Sequence, residues 1–398
     1  MKVGESTRAA VGVFTSGREW LTACRDLSFT ARAARHDGTD DAACLSLLAA
    51  AHHRRRPGVT LADHRLVLAG SSTCTTAFDV GVATRFWTVE TESYVPLKYK
   101  DLERLFQAKP GKKVRLKRHD PGWAGGDEFE ELRRDELKAR AVEFLEKNVG
   151  ELAEAQELLY ASDVYSVLIV LQAMDAAGKD GTIKHVMSGV NPQGCQVFSF
   201  KKPSDEELDH NFLWRYTRAL PERGRIGIFN RSYYEDVLVV RVHPEILKRQ
   251  KLPPGDRGDK FWQSRFDDIN RFERHLRRNG TVILKFFLHL SKKEQKNRFQ
   301  ERLENKDKHW KFSFADLKER ECWNTYQKAF EEAISQTSTP WAPWWVIPAD
   351  HKWVSRALVA GITTRAITDL RLSRPTVTSE QQRLIARARR TLGVSNSR

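Results

Sequence analysis

The stretch Ser166–Ser188, SVLIVLQAMDAAGKDGTIKHVMS, decides the fold of this chain. Residues 166–173 form an apolar run of strand length, and a Gly-containing loop separates them from a helical segment that begins near Thr182. An apolar strand that passes through a loop into a helix is typical of the first unit of a parallel α/β sheet. The stretch therefore predicts a buried strand whose carboxyl end opens into a loop.

The sequence around this stretch alternates strands and helices. Apolar runs predict four more strands, at 195–200, 225–229, 281–290 and 344–347. Apolar periodicity and capping residues predict helices at 127–161, 204–219, 260–279, 292–304, 315–335 and 352–370. Because the connections are short, we expect one three-layer α/β/α domain with a parallel sheet.

Composition narrows the class of protein. The 398 residues are 40% apolar and 30% charged, which excludes a disordered chain. Five scattered Cys exclude a disulfide scaffold, and no run approaches the ~18 apolar residues of a membrane span. We therefore expect a cytoplasmic protein with reduced thiols. The formal net charge of +15 favours a polyanionic partner, although a solvated basic surface gives the same balance.

The composition changes near residue 90. Residues 1–88 contain one Lys and ten Arg, whereas residues 89–398 contain 25 Lys and 31 Arg. We interpret residues 1–90 as an extension that is poorly ordered or translated from upstream of the true start. Residues 91–370 then form the α/β domain, and residues 371–398 form a basic tail.

The loop after the first strand has the parts of a phosphate-binding loop. Glycines let the backbone wrap an anion, a lysine reaches its outer oxygens, and a helix N-terminus lies behind it. The spacing departs from GxxxxGK[ST], because Ala173 replaces the first glycine and two residues separate Lys179 from Thr182. An ordinary strand-to-helix turn is the alternative. The candidate phosphate-binding residues are Ala177, Gly178, Lys179, Asp180, Gly181 and Thr182.

Carboxylates accompany this loop and the end of the third strand. Asp175 would repel a phosphate unless it binds Mg²⁺ or orients a phosphate through that ion, and a helix cap is the alternative. Arg231, Glu235 and Asp236 follow the third strand. Carboxyl ends of parallel strands face the ligand crevice, so these residues suit a phosphate clamp beside a metal. The two acids could equally begin a helix.

A strongly basic segment follows the fourth strand. Residues 292–311 contain eight Lys or Arg and four acidic residues. Small phosphate kinases carry a closing lid at this position, so we interpret the segment as a helical lid, with a solvated charged face as the alternative. The candidate lid residues are Arg298, Arg302, Lys308 and Lys311.

Three motifs in the same order resemble the polyphosphate kinase 2 family. They are QAMDAAGKDGTIKHVMSGVNPQG at 172–194, FNRSYYEDVLV at 229–239 and RLENKDKHWKFS at 302–313. The resemblance extends from about Tyr94 to Asp369. It implies a P-loop kinase-like fold and phosphoryl transfer between inorganic polyphosphate and nucleotides.

The resemblance also implies site roles. Asp175 and Lys179 would be the Walker A acid and lysine, Arg231 would bind phosphate, and the region 308–311 would belong to the lid. Many family members carry Asp where this chain has Asn230, which makes Asp236 a substitute metal ligand beside Asp175. Glu235 is similar to its equivalent in the subgroup that accepts both nucleoside mono- and diphosphates.

We therefore expect a polyphosphate:nucleotide phosphotransferase in which Asp175, Lys179, Arg231 and Glu235 are the catalytic residues. Mg²⁺ is the expected cofactor, with Mn²⁺ as a substitute. The expected partners are inorganic polyphosphate and AMP, ADP, ATP or their guanine equivalents, without nucleic acid or membrane, in a homo-oligomer. The alternatives are an ATP-dependent nucleoside monophosphate kinase of the thymidylate kinase type and a basic nucleic-acid-binding protein with a vestigial P-loop.

Overall fold

A computed structural model describes residues 99–125 and 132–394 of the chain. Its centre is one parallel five-stranded sheet with the spatial order β2-β3-β1-β4-β5. The strands are β1 (Ser166–Ala173), β2 (Cys195–Ser199), β3 (Ile226–Asn230), β4 (Thr281–His289) and β5 (Trp344–Pro348). The predicted extension at residues 1–90 lies outside the described residues.

Helices connect the strands and follow the last one. They are α1 (Tyr99–Phe106), α2 (Arg134–Ser162), α3 (Lys179–Val186), α4 (Asp205–Leu208), α5 (Trp214–Thr217), α6 (Val239–Val242), α7 (Pro244–Arg249), α8 (Asp259–Arg278), α9 (Lys292–Glu304), α10 (Phe314–Glu321), α11 (Trp323–Thr337), α12 (Lys352–Thr368) and α13 (Ser379–Thr391). None of these helices has the length and apolarity needed to span a bilayer.

Alternate residues of the strands enter two separate cores. In β1, Val167, Ile169 and Leu171 face the core beneath α2, α3 and α12, whereas Leu168 and Val170 face the core beneath α8 and α11. Because helices cover both faces, the whole strand is apolar rather than alternating. The predicted three-layer α/β/α architecture with a parallel sheet is confirmed.

The order of the strands creates the crevice in which the site lies. The chain leaves β1 toward the edge of the sheet at β2, but it leaves β3 toward the opposite edge, at β5. Where connections diverge in this way, the carboxyl ends of neighbouring parallel strands open a crevice. The loops after β1 and β3 meet there, because Leu171 and Asn230 are paired at the end of the two strands.

Two predicted helices are divided in the structure, and the helix predicted at 127–161 begins only at Arg134. Residues 204–219 form two single turns, α4 and α5, because the Asn211 side chain accepts a hydrogen bond from the Leu213 amide (3.0 Å) and makes a turn between them. Residues 315–335 are divided at Cys322 into α10 and α11. The basic tail also contains α13, a helix that the sequence analysis did not predict.

A fully buried ion pair holds the segment that follows β3. Lys285 of β4 donates to the Glu273 carboxylate (2.7 Å), the Tyr234 hydroxyl (2.9 Å) and the Thr337 carbonyl (2.7 Å). Tyr233 and Tyr234 both donate to the other Glu273 oxygen, at 2.9 and 2.8 Å. All three ammonium protons of Lys285 thus have acceptors at 0% exposure. The network fixes the two tyrosines between Arg231 and Glu235.

Replacing one partner of this pair should be costly. Lys285→Met keeps the volume of the side chain but leaves the Glu273 charge buried without a cation. We expect the free energy of unfolding to fall by about 3–5 kcal/mol. Urea denaturation measures this, with the exposed Lys260→Met on α8 as the control. A loss below about 1 kcal/mol for Lys285→Met would contradict a structural role for the network.

Candidate active site

The loop between β1 and α3 has the backbone of an anion-binding turn. Ala176 and Gly178 have φ angles of +63° and +103°, and α3 begins directly afterwards at Lys179. The value at Gly178 is one that residues with a Cβ rarely adopt. The Lys179 ammonium donates to the Ala173 carbonyl (3.1 Å), and burial lowers the pKa of this group, with the Asp175 carboxylate opposing the shift. The lysine is therefore folded back over the loop.

Two side chains of α9 hold three successive carbonyl oxygens of this loop. Gln295 donates to the Asp175 carbonyl (2.9 Å), and Arg298 donates to those of Ala176 and Ala177 (2.9 Å each). Carbonyl oxygens repel phosphate, so fixing them against α9 favours a loop that can accept an anion on its other side. Both side chains lie on one helix face because they are three residues apart.

Arg298 makes more hydrogen bonds than Gln295. It is 4% exposed, and all five of its N–H donors are engaged. The acceptors are the Glu294 carboxylate (2.9 Å) and the carbonyl oxygens of Ala176 (2.9 Å), Ala177 (2.9 Å), Ala349 (2.6 Å) and Asp350 (3.0 Å). The prediction that this residue is a free lid cation is wrong, because it has no donor left for a polyanion.

The other three lid residues border the cleft. Arg302 pairs with Asp316 (3.3 Å) and donates to the Lys311 carbonyl (3.3 Å). Lys308 is hydrogen-bonded to Glu301, and Lys311 lies 4.9 Å from the centre of the Trp310 ring. Lys308 and Lys311 belong to a 3₁₀ segment that follows α9. The basic segment therefore contributes one buried arginine, which holds the loop, and three residues that border the cleft.

The loops after β1 and β3 meet through an ion pair. Arg231 has a φ of +65° and donates to the Asp175 carboxylate (3.2 Å), with side chains 43% and 27% exposed. A non-glycine residue in this conformation is uncommon, and such strain concentrates at functional sites. Arg231 and Asp175 thus come together across the crevice, a pairing that the sequence analysis did not predict.

Glu235 lies beside the same charges. Burial raises the pKa of its carboxyl group, while the nearby Arg231 and Lys179 lower it. When the Gln172 amide is oriented to suit its neighbours, it donates to Glu235 (2.9 Å) and accepts from Ser232. Glu235 belongs to a 3₁₀ turn, Tyr233–Val237, rather than to the start of a longer helix.

Asp236 points away from this site. It accepts hydrogen bonds from Gln250 (2.6 Å) and Arg265 (3.4 Å), and it is 8% exposed. Burial raises the pKa of Asp236 to about 6, and Arg265 opposes the shift. The prediction that Asp236 is a metal ligand is wrong, because its carboxylate is buried against Gln250 and Arg265 and does not line the cleft. Asn230, by contrast, faces the loop and donates to the Asp180 carboxylate (2.7 Å).

These residues line a cleft of about 670 Å³. Ten basic and four acidic side chains border it. Four of the basic residues were missed by the sequence analysis: Lys201, Lys202, Lys352 and Arg356. All four follow the carboxyl ends of β2 and β5, so the rule that located Arg231 would also have found them.

A divalent cation fits one side of the cleft. Among the described residues, no group of three or more His, Cys, Asp or Glu could hold a metal by itself. Mg²⁺ bound with phosphate needs only one or two protein carboxylates, because water and phosphate oxygens complete its shell. Asp175 and Asp180 are the two carboxylates that the loop contributes to the cleft.

The Gly-containing loop, the helix that begins at its lysine and the basic cleft define a phosphate-binding α/β protein. The family model for polyphosphate kinase 2 matches residues 135–374, and the chain belongs to this family. The resemblance of the three motifs and the P-loop kinase-like fold are thereby confirmed.

Curated relatives and a solved structure agree with this assignment. The chain is 52% identical over 258 residues to an ADP-polyphosphate phosphotransferase of Rhodopseudomonas palustris, covering 65% of this chain and 89% of the relative. It is 45% identical over 282 residues to an AMP/ADP-polyphosphate phosphotransferase of Meiothermus ruber, covering 71% and 99%. The crystal structure of polyphosphate kinase 2 from Arthrobacter aurescens superposes with a TM-score of 0.63 at 36% identity, covering 72% and 96%.

The geometry of Arg298 predicts an effect on catalysis without loss of an anion contact. Arg298→Lys keeps the charge, but an ammonium cannot reach four carbonyl oxygens in two directions. We expect the kinase turnover number to fall about 100-fold, as for a displacement of roughly 1 Å at a reacting group. Steady-state kinetics of Arg298→Lys measure this, and Arg278→Lys, exposed at the end of α8, is the control. A variant that keeps more than half of wild-type turnover would show that the loop does not need Arg298.

The position of Asp236 predicts a pH effect on stability. Its pKa is raised in the folded protein, to about 6, so the unfolded chain loses this proton first as pH rises. The stability of the wild type should therefore decrease relative to Asp236→Asn between about pH 4 and 6. Urea denaturation at several pH values measures the difference, with the exposed Asp267→Asn as the control. A constant difference would contradict the raised pKa.

Proposed function

We propose that this protein transfers phosphoryl groups between inorganic polyphosphate and nucleoside mono- and diphosphates. The observation that carries the proposal is the cleft, in which ten basic side chains surround the loop that follows β1. The names of the two curated relatives, which specify polyphosphate with ADP or with AMP and ADP, support the same pair of substrates.

The proposed chemistry needs charge neutralisation and alignment rather than a covalent intermediate. In phosphoryl transfer the attacking and leaving oxygens lie in line, and negative charge spreads over the transferred group. We assign Lys179 and Arg231 to that group, because they reach into the cleft from the loops after β1 and β3. Arg302, Lys308 and Lys311 are assigned to the rest of the polyanion at the opposite wall. Preorganised cations of this kind contribute most of the rate enhancement in such sites.

Asp175 is proposed to orient the reacting phosphates together with a divalent metal ion. Its ion pair with Arg231 is half-exposed, so phosphate can replace one partner and the metal the other. Asp175 would hold Mg²⁺, or Mn²⁺ in its place, and the ion would neutralise charge on the phosphates. Asp180, which accepts a hydrogen bond from the Asn230 amide, would be the second carboxylate beside the ion.

Glu235 is proposed to select the acceptor nucleotide. It lies beside Arg231 and Lys179, where a monophosphate and a diphosphate present different charge. The Meiothermus ruber relative, named for both AMP and ADP, supports acceptance of both nucleotides. Guanine nucleotides, homo-oligomeric assembly, cytoplasmic localisation and the absence of a nucleic-acid partner stay predictions. An ATP-dependent monophosphate kinase is not favoured, because a nucleoside triphosphate needs fewer cations than this cleft offers.

Phosphoryl transfer from polyphosphate is directly testable. Purified protein with Mg²⁺, long-chain polyphosphate and either ADP or AMP should form ATP or ADP, detected by chromatography. Lys179→Ala should lower turnover at least 100-fold, since one electrostatic contact of this kind contributes about 3–4 kcal/mol to the barrier. Lys184→Ala, on the exposed face of α3, is the control and should keep wild-type turnover.

Two results would contradict this proposal. Nucleotide phosphorylation that requires ATP and ignores polyphosphate would favour the monophosphate kinase. Equal turnover of Lys179→Ala and Lys184→Ala would show that the loop is only a structural turn.

A further inference from the structure

The C-terminal tail carries an arginine-rich helix outside the catalytic domain. Residues 371–398 contain seven Arg, no Lys and a single acidic residue, Glu380. The family match ends at residue 374, and α13 begins five residues later at Ser379. Every described residue from 373 to 394 is exposed, so α13 contributes nothing to either core.

The sequence of α13 nevertheless specifies a helix. Thr378 accepts a hydrogen bond from the Gln381 amide (3.2 Å), and the Gln381 side chain accepts one from the Thr378 amide (2.8 Å). This reciprocal capping box satisfies two backbone donors at the start of the helix. A helix that contributes to neither core depends on such a cap, so the helical spacing of its side chains is specified by the segment's own sequence.

Three arginines share one face of α13. Arg383, Arg387 and Arg390 follow the spacing i, i+4 and i+7, which places them within about 60° around the helix axis. Cations at i and i+4 repel each other and weaken an isolated helix. The arrangement is therefore unfavourable for folding by itself and becomes favourable when an anion with several charges lies along the face.

We propose that this face of α13, which we call the tail site, binds polyphosphate at a distance from the cleft. The inference rests on the proposed function, which supplies a linear polyanion too long for a cleft of about 670 Å³. Arginine suits phosphate because its planar fork makes paired hydrogen bonds to two oxygens. The tail site would hold a distal part of the chain and raise the local concentration of the reacting end.

The connection to the domain permits this arrangement. Arg374 is tied to Glu157 of α2 (3.8 Å), and residues 375–378 separate it from α13. Four residues of extended chain span at most about 14 Å. The tail site therefore stays close to the domain.

The test compares two triple variants that remove equal charge. Arg383, Arg387 and Arg390 are replaced by Gln in one, and Arg271, Arg277 and Arg278 by Gln in the other. The second set lies exposed on α8, toward the start of β4 and thus toward the edge of the sheet opposite the loops. Both variants are assayed with long-chain polyphosphate and with tripolyphosphate, and binding of labelled long-chain polyphosphate is measured directly.

The tail variant should raise the KM and the Kd for long-chain polyphosphate roughly tenfold, with turnover and the KM for tripolyphosphate unchanged. The slope of log Kd against log salt should become shallower by about 2, since three fewer phosphates are neutralised. The α8 variant should match the wild type in all five quantities.

Several outcomes would overturn the tail site. Equal effects of both variants would indicate net charge alone, and unchanged binding by the tail variant would remove α13 from polyphosphate recognition. A tail variant that loses affinity for anionic vesicles or for RNA, but not for polyphosphate, would assign the helix to a membrane or to nucleic acid. If the wild-type protein has no polyphosphate-dependent activity, the proposed function itself is contradicted. If it is active with tripolyphosphate, the proposed function holds and these outcomes concern the tail site alone.

Discussion

The arrangement of the active site depends on the guanidinium of Arg298. Its donors reach the phosphate loop on one side and the turn between β5 and α12 on the other, so three separate segments of chain are joined at one side chain. A buried charge is tolerated only when its hydrogen bonds are satisfied, and backbone carbonyls supply that satisfaction here. Gln295 extends the contact by one more carbonyl. The shape of the loop is thus determined by α9 as much as by the loop's own residues.

Lys285 is a second buried cation that holds its neighbours in place, on the other side of the crevice. Lys285 and Glu273 fix the two tyrosines that precede Glu235. Because these tyrosines follow Arg231 closely in the chain, they also restrain the strained turn at Arg231. Such pairs contribute little net stability compared with apolar residues of equal volume, yet removal of one partner is costly. Their benefit is geometric, because a fully bonded lysine or arginine tolerates one arrangement of its neighbours. Catalysis by alignment requires that precision in both loops.

The basic residues at and beneath the active site therefore fall into two groups. Arg298 and Lys285 are buried and hold backbone or side chains in place, whereas Lys179, Arg231, Lys308 and Lys311 border the cleft. A net charge of +15 does not distinguish these groups. Substitution of a buried cation alters the shape of the site, whereas substitution of a cation at the cleft alters its electrostatic potential. The two consequences separate in measurements of turnover and of salt dependence.

The sequence by itself determined the layers of the fold and the position of the loop. Period, apolar runs and glycine placement depend on local geometry, so β1 and β4 lie within a residue of their predicted bounds, and Arg231 faces the crevice after β3 as expected. Tertiary structure alone decided that Arg298 is buried, that Asp236 pairs with Arg265 and that residues 204–219 break into two turns. The reason is physical. From the sequence alone, a charged side chain on a helix is expected to be exposed. Only the folded chain brings acceptors from distant segments, such as Ala349 and Asp350, to Arg298.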